Sequence, residues 1–180
     1  MTTPWRTVAR RVLLDRKPWF TIGEETVELP DGTIVADFGF IDMLEFAVIV
    51  PMTAAGDTIL IRSYKHGVRA VSLSLPAGGF HPGEEPLAGA QRELREETGY
   101  EAERWEPIGR FTVDPNYGCG AMHAFIAHGA RQTTEPASGD LEEQELVVLP
   151  FADALAKLRA GEIAQLSTAA ALGLAAIALT

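Results

Sequence analysis

Cysteine is almost missing from this chain: Cys119 is the only one among 180 residues. No disulfide can therefore close within one copy, which excludes the stapled frameworks of small secreted domains. No cysteine–histidine arrangement accompanies Cys119, so a thiolate nucleophile is not expected. No charged-then-apolar leader opens the sequence, and together with the cysteine usage this gives the expectation of a reducing cytoplasm. Basic residues are scarce as well, 15 against 25 acidic ones, for a formal net charge of −10. So negative a chain is a poor partner for a nucleic-acid polymer, and any phosphate it binds should be met by local positive spots. The expected substrate is small. Long apolar runs are also lacking: the stretch 169–179 is too short and too alanine-rich to span a bilayer, so it reads as a buried helix and no membrane partner is expected. His66, His81, His123 and His128 show no metal-ligand spacing and read as hydrogen-bonded loop or strand residues. There is no internal repeat and no heptad array, and the polar stretch 132–140 reads as a loop.

What the chain does have is concentrated between Gly78 and Tyr100, in the order GGFHPGEEPLAGAQRELREETGY. Gly78 is followed after five residues by Glu84, and Glu84 after seven by Arg92-Glu93-Leu94-Arg95-Glu96-Glu97-Thr98-Gly99-Tyr100. On a helix with 3.6 residues per turn, Glu93, Glu96 and Glu97 stand at i, i+3 and i+4 and share one face within roughly 100°. Carboxylates that close repel one another unless a cation neutralises them, and hard oxygen donors at this density suit Mg²⁺, with Mn²⁺ as the alternative ion. Leu87, Ala90 and Leu94 form the neighbouring apolar stripe, so the helix can bury one side and offer its acidic side to a cleft. Pro86 and Gly99 stand where a first-turn proline and a terminating glycine belong. The bland reading is a solvated acidic face supported by pairs such as Arg92 with Glu96. It does not account for the flanking glycines: seven fixed residue types, each used about once in fifteen, coincide by chance with a probability of order 10⁻⁸ per starting position.

This pattern resembles the signature box of the Nudix hydrolases, which cleave nucleoside diphosphates linked to another moiety. Tyr100 departs from it, standing where the family usually has a bulky aliphatic residue. The resemblance implies an α+β fold, an α/β/α sandwich around a mixed sheet. Residues 1–180 are expected to form a single domain, with an N-terminal antiparallel strand arm over 1–44 and a catalytic core over 45–180. The layout is closest to the branch that cleaves ADP-ribose, whose members are homodimers, so a homodimer is implied too.

The rest of the sequence can be laid against that frame by its apolar patterning. Residues 19–22, 25–29 and 33–38 read as strands around the tight turn Pro30-Asp31-Gly32. Residues 45–50 and 58–63 flank Ala55-Gly56-Asp57 as a second, buried hairpin. A strand over 71–75 should lead into the Pro76-Ala77-Gly78-Gly79 loop, and further strands are expected over 105–112, 121–127 and 145–150. Helices are expected over 151–160 and 167–179.

Carried over position by position, the resemblance implies metal coordination by Glu93, Glu96, Glu97 and the backbone carbonyl of Ala77. Glu84 and Arg92 would brace the loop and orient the acidic cluster, since a rigid guanidinium fork can hold two carboxylate oxygens. Gly78 and Gly79 are expected to permit unusual backbone angles and close approach to the pyrophosphate. The reaction implied is hydrolysis of a phosphoanhydride by an activated water, without a covalent enzyme intermediate. In the ADP-ribose branch the base is a glutamate of a late loop. Here the matching stretch puts Gln144 at that place, so Glu143, Glu142 or a box residue such as Glu97 would have to serve. Lys65 and Arg69 are candidate pyrophosphate ligands. Pro115 has the placement seen in ADP-ribose pyrophosphatases, whereas Tyr117 lies near where dinucleoside polyphosphate hydrolases carry an aromatic. Ser74 replaces a glutamate common in the branch, and 114–120 lacks the usual Ser-Asp-Glu. Tyr117 or Trp19 could stack on a base or simply pack. The leading expectation is a metal-dependent pyrophosphatase acting on ADP-ribose or a nucleoside diphosphate sugar. A dinucleoside polyphosphate or NADH substrate, and a nucleotide-sensing module that does not cut, are the alternatives.

Overall fold

The computed structural model describes residues 2–139, 141 and 143–180, and the chain divides into two compact units. The first comprises 2–45 and 111–121. Its strands β1 (Arg6–Arg16), β2 (Phe20–Glu28) and β3 (Ile34–Met43) form an antiparallel meander. The β2–β3 turn is the expected one: Gly32 adopts φ +85°, its N–H donates to Leu29 O, and Thr33 N–H donates to the Asp31 carboxylate at 2.9 Å. β2 joins the two short strands anticipated at 19–22 and 25–29. β1 was not anticipated. Every residue of it is exposed, and register shifts at Thr7/Ala9 and Val12/Leu14 break the period-2 pattern that would have announced it. Charge pairing across the meander substitutes for burial: Arg11 pairs with Glu24, Arg6 with Glu28, and the Arg10 guanidinium lies 3.7 Å over the Phe40 ring.

The second unit, 46–110 with the described residues of 122–180, holds the remaining sheet. Its strands are β4 (Phe46–Met52), β5 (Asp57–Lys65), β6 (Ala70–Ser74) and β7 (Ala77–Gly79), then β8 (Tyr100–Glu101), β9 (Arg104–Asp114), β10 (Gly118–His128), β11 (Arg131–Gln132) and β12 (Gln144–Pro150). β9 and β10 each run on through both units. Helices α1 (Pro86–Thr98), α2 (Phe151–Arg159) and α3 (Leu166–Ala178) complete the chain. β4 lies parallel to β10 from Met122↔Phe46 to His128↔Met52, and antiparallel to β7 over Phe46–Val48. β12 and β6 both pair antiparallel with β5, so the sheet is mixed. The expected β4–β5 hairpin is narrower than anticipated: the strands meet at Met52↔Thr58, and over Phe46–Val48 β4 pairs with β7 while β10 runs along its other edge.

The alternation of β4 sorts the core into two layers. Ala47 and Ile49 pack with Ala90 and Leu94 of α1 and with Phe125. Val48 and Val50 pack on the opposite side with Leu60, Leu73 and Ile126, and with Ala171, Leu172 and Ala175 of α3. The run 46–50 is apolar at every position because both faces of the strand are covered. α1 thus rides on one face of the sheet and α2 with α3 on the other, the layered arrangement expected. None of the helices among the described residues is long and apolar enough to cross a membrane.

The ends of α1 fix where its acidic face falls. Pro86 opens it, and Gly99 closes it at φ +73° with its N–H on Arg95 O. The segment after β11, expected to be a loop, has no helix or strand over 133–139 and is docked on this end: Ala137 N–H donates to Glu96 O at 2.7 Å, and Thr133 N–H to Gly99 O at 2.8 Å. These bonds satisfy carbonyls that a helix terminus leaves open.

Candidate active site

α1, β7 and the loop between them bring Ala77, Gly78, Gly79, Glu84, Arg92, Glu93, Glu96 and Glu97 into one cluster. Arg92 is its hub. Its Nε donates to Glu84 Oε1 at 2.9 Å and its Nη2 to Glu84 Oε2 at 2.8 Å, the two-pronged grip a guanidinium makes on a carboxylate. Nη2 also donates to Gly79 O at 2.9 Å, while Nη1 donates to Glu93 Oε1 at 2.7 Å and Glu96 Oε2 at 3.1 Å. Five bonds match the five N–H donors of the group. The Glu96 contact, the one a solvated helix face would show, is the longest of them. The Arg92 side chain is only 20% exposed and reaches back across the helix to the loop, so the bland reading of an i, i+4 surface pair does not describe it.

Glu84 also accepts His81 N–H at 2.9 Å, closing the loop on itself. The Arg92 hydrogen bonds, aided by His81 N–H, hold the Glu84 carboxyl down at about 2, and the same contact with Glu84, with further bonds to Glu93 and Glu96, raises Arg92 above its ordinary range. A carboxylate whose pKa falls on folding adds stability that is complete above the ordinary value of 4.5 and is lost as the pH drops toward 2. The melting temperature of the wild type should exceed that of Glu84→Gln by a constant margin from pH 7 down to about 5, and the margin should shrink below that. A margin unchanged down to pH 2.5 would contradict the ion pair.

The unusual backbone angles expected at Gly78 and Gly79 are not present. Neither Gly78 nor Gly79 has a positive φ; both lie in extended β7. A Cβ at Gly78 would stand 2.1–2.3 Å from the carboxyl atoms of Glu93. The missing side chain at Gly78 makes a cradle for that carboxylate. Glu97, 8% exposed, turns Oε2 to the N–H of Ala77 at 2.8 Å and so ties the helix to β7.

Among the described residues no three or more His, Cys, Asp or Glu side chains stand ready arranged around one metal position. Glu93 and Glu96 share Arg92, and Glu97 holds Ala77. The donor chemistry nonetheless fits a hard divalent ion. Three carboxylates, those of Glu84, Glu93 and Glu96, surround one guanidinium, the Gly78 cradle lets Glu93 lie against the backbone, and Glu96 is 44% exposed at the open side.

The other candidates lie elsewhere. Lys65 ends β5, and Arg69, at φ +53°, sits in the turn before β6; neither makes an ion pair within the described residues. Pro115 and Tyr117 belong to the first unit, in a turn where the Asp114 carboxylate accepts the N–H groups of Asn116 and Tyr117. Tyr117 and Trp19 are 53% and 69% exposed, so neither is core. Glu143 lines an open cleft of about 540 Å³ with Arg62, Ser63, Tyr64, Val71 and Glu145. Glu142 lies outside the described residues. The sequence reading missed the docking of 133–137 on α1 and the Arg62–Glu145 pair at 2.8 Å, both contacts between distant positions with no local signature. It also passed over Phe80 and Gly89, although a glycine inside a helical pattern is a signal of close packing.

Residues 43–169 match the NUDIX domain, and residues 5–41 match the nucleoside diphosphate sugar hydrolase N-terminal domain. The chain belongs to the Nudix family. It is 30% identical over 154 residues to an ADP-ribose pyrophosphatase of Bacillus subtilis, covering 82% of this chain and 80% of that protein. An ADP-ribose pyrophosphatase of Mycobacterium tuberculosis is 30% identical over 147 residues, with coverages of 80% and 70%. A GDP-mannose pyrophosphatase of Escherichia coli is 28% identical over 174 residues, with coverages of 91% and 90%. The fold is shared with a crystal structure of an ADP compounds hydrolase, at a TM-score of 0.82 and 23% identity over 99% of this chain and 96% of that one.

Proposed function

We propose that this Nudix pyrophosphohydrolase cleaves the pyrophosphate bridge of a nucleoside diphosphate sugar, ADP-ribose foremost, into a nucleoside monophosphate and a sugar phosphate. The observation that carries the reading is the Arg92 hub. One guanidinium spends all its donors on Glu84, Glu93, Glu96 and Gly79 O, and so holds a net negative cluster rigid beside the Gly78 cradle. Glu93, Glu96, Glu97 and the Ala77 carbonyl are the groups that would hold Mg²⁺ or Mn²⁺. Bound there, the ion supplies charge neutralisation for the bridging phosphates and a more acidic water.

The remaining steps fall to this chain's own side chains. Arg92 and Glu84 keep the acidic face in register with β7, which is positioning by pre-formed hydrogen bonds. Glu97, committed to Ala77 N–H, is suited to holding charge in place more than to moving a proton. Glu143 is exposed on a cleft wall, and we assign it, with Glu142 as its neighbour in sequence, the role of taking the proton of the attacking water. Lys65, half-buried at the end of β5, and Arg69, exposed in the turn after it, make no ion pair among the described residues and would meet the phosphates. Pro115 and Tyr117, in the first unit, are proposed as substrate-binding residues in their own right. We further propose that the chain works as one catalytic core with an N-terminal arm, in a reducing cytoplasm. The exposed apolar side chains of β1, Val8, Val12 and Leu14, support a homodimer built through the arm.

Purified protein with Mg²⁺ should be offered ADP-ribose, GDP-mannose, dinucleoside polyphosphates and NADH, and the products separated by ion exchange. AMP with ribose 5-phosphate as the dominant outcome is expected. Cleavage confined to dinucleoside polyphosphates or NADH would replace the substrate assignment, and no cleavage of any of them would sink the enzymatic reading.

A further inference from the structure

Phe80 follows Gly79 directly and precedes His81, so it lies between the two backbone groups that the hub uses, Gly79 O and His81 N–H. Its ring occupies a notch on α1 that exists because residue 89 has no side chain. A Cβ at Gly89 would stand 2.5 Å from Phe80 Cδ1, 2.9 Å from Cε1 and 3.1 Å from Glu84 Oε2. On its other side the ring meets the His123 imidazole of β10 edge to face, with centroids 5.2 Å apart and planes at 74°. Gly89 is buried in the interior of α1, where alanine would ordinarily be the better helix former. A helix that carries the less favourable residue at a position filled by a neighbouring ring indicates that the ring's seat matters.

We propose that Phe80 is a positioning residue for the reaction, a wedge between Gly89 and His123 that fixes loop 80–84 and, through Glu84 and Arg92, the attitude of Glu93 and Glu96. The inference rests on the functional reading above and extends it to residues outside the acidic cluster. Gly89→Ala must push the ring, the Glu84 carboxylate or both, because a contact of 2.5 Å cannot persist. The shift passes to Gly79 O and His81 N–H within one residue either way.

The test compares wild type, Gly89→Ala, Phe80→Leu and the double variant for kcat, KM, melting temperature and Mn²⁺ affinity, the last by electron paramagnetic resonance without substrate. Gly89→Ala should lower kcat and weaken Mn²⁺ binding by about tenfold or more, the usual effect of disturbing groups behind a metal site, with KM changed less. Phe80→Leu in the Gly89→Ala background should recover most of both, since leucine lacks the ε and ζ carbons and its δ carbons can rotate clear of the new methyl. A Gly89→Ala variant that melts higher than wild type, with unchanged kcat and Mn²⁺ affinity, would overturn the wedge. If Gly89→Ala does not fold, Phe80→Ala decides: wild-type kcat and Mn²⁺ affinity there also overturn it. Absence of pyrophosphatase activity in the wild type would instead remove the functional reading itself.

Discussion

Glu96→Gln and Glu97→Gln are each expected to lower turnover at least about a hundredfold while leaving the fold in place. The reasoning differs for the two. Glu96 shares Arg92 Nη1 at 3.1 Å and is the most open of the cluster, so its amide variant loses charge with little structural consequence. Glu97 is nearly buried and accepts Ala77 N–H at 2.8 Å. A glutamine carbonyl can accept that same bond, so its melting temperature should stay near wild type while the negative charge disappears. Turnover at saturating Mg²⁺ and a thermal melt on the same samples separate the effects. Near-normal turnover in both variants would show that Glu96 and Glu97 do not hold the ion on which the reaction depends.

Arg92→Ala should cause the largest loss of stability of any single change in the site. It leaves Glu84, Glu93 and Glu96 facing one another with side-chain exposures of 14%, 12% and 44% and no cation among them. Breaking a largely buried charge network costs about 3 kcal/mol or more, which for a chain of this size is roughly 6–12 °C in melting temperature. Arg92→Lys restores the charge but not the fork: an ammonium cannot grip both Glu84 oxygens and reach Gly79 O, Glu93 and Glu96 from one position. It should melt between wild type and Arg92→Ala and still lose roughly ten- to a hundredfold in kcat. A lysine variant with wild-type kcat would show that charge alone, without the five directed bonds, organises the cluster.

The extent and acidic face of α1 were legible because their signals are local. Three glutamates at helical spacing and Pro86 at the first turn lie within the thirteen residues of α1, Gly99 in the left-handed region follows directly, and the fold agrees with each. The apolar strand at 46–50 was legible for the same reason, covered on both faces and therefore apolar throughout. β1 was not, because a strand whose residues are all exposed and whose register is twice shifted carries no period of two. β8 and β11, at two residues each, are defined only by pairing with one another. The reason for Gly78 was hidden likewise: that Glu93, fifteen positions on, fills the space of its missing side chain is a tertiary fact. The seat of Phe80 between Gly89 and His123 is of the same kind. The proton acceptor stayed open because its candidates, Glu142 and Glu143, sit in an acidic run where neighbouring carboxylates are chemically equivalent on paper.

Calorimetric titration of Mn²⁺ into the wild-type chain and into Glu96→Gln, with and without a non-hydrolysable ADP-ribose analogue, tests the central claim most directly. The wild type should take up the ion with an affinity that the analogue strengthens, and the variant should bind it at least about tenfold more weakly. No uptake by the wild type in either condition would contradict the account at its root.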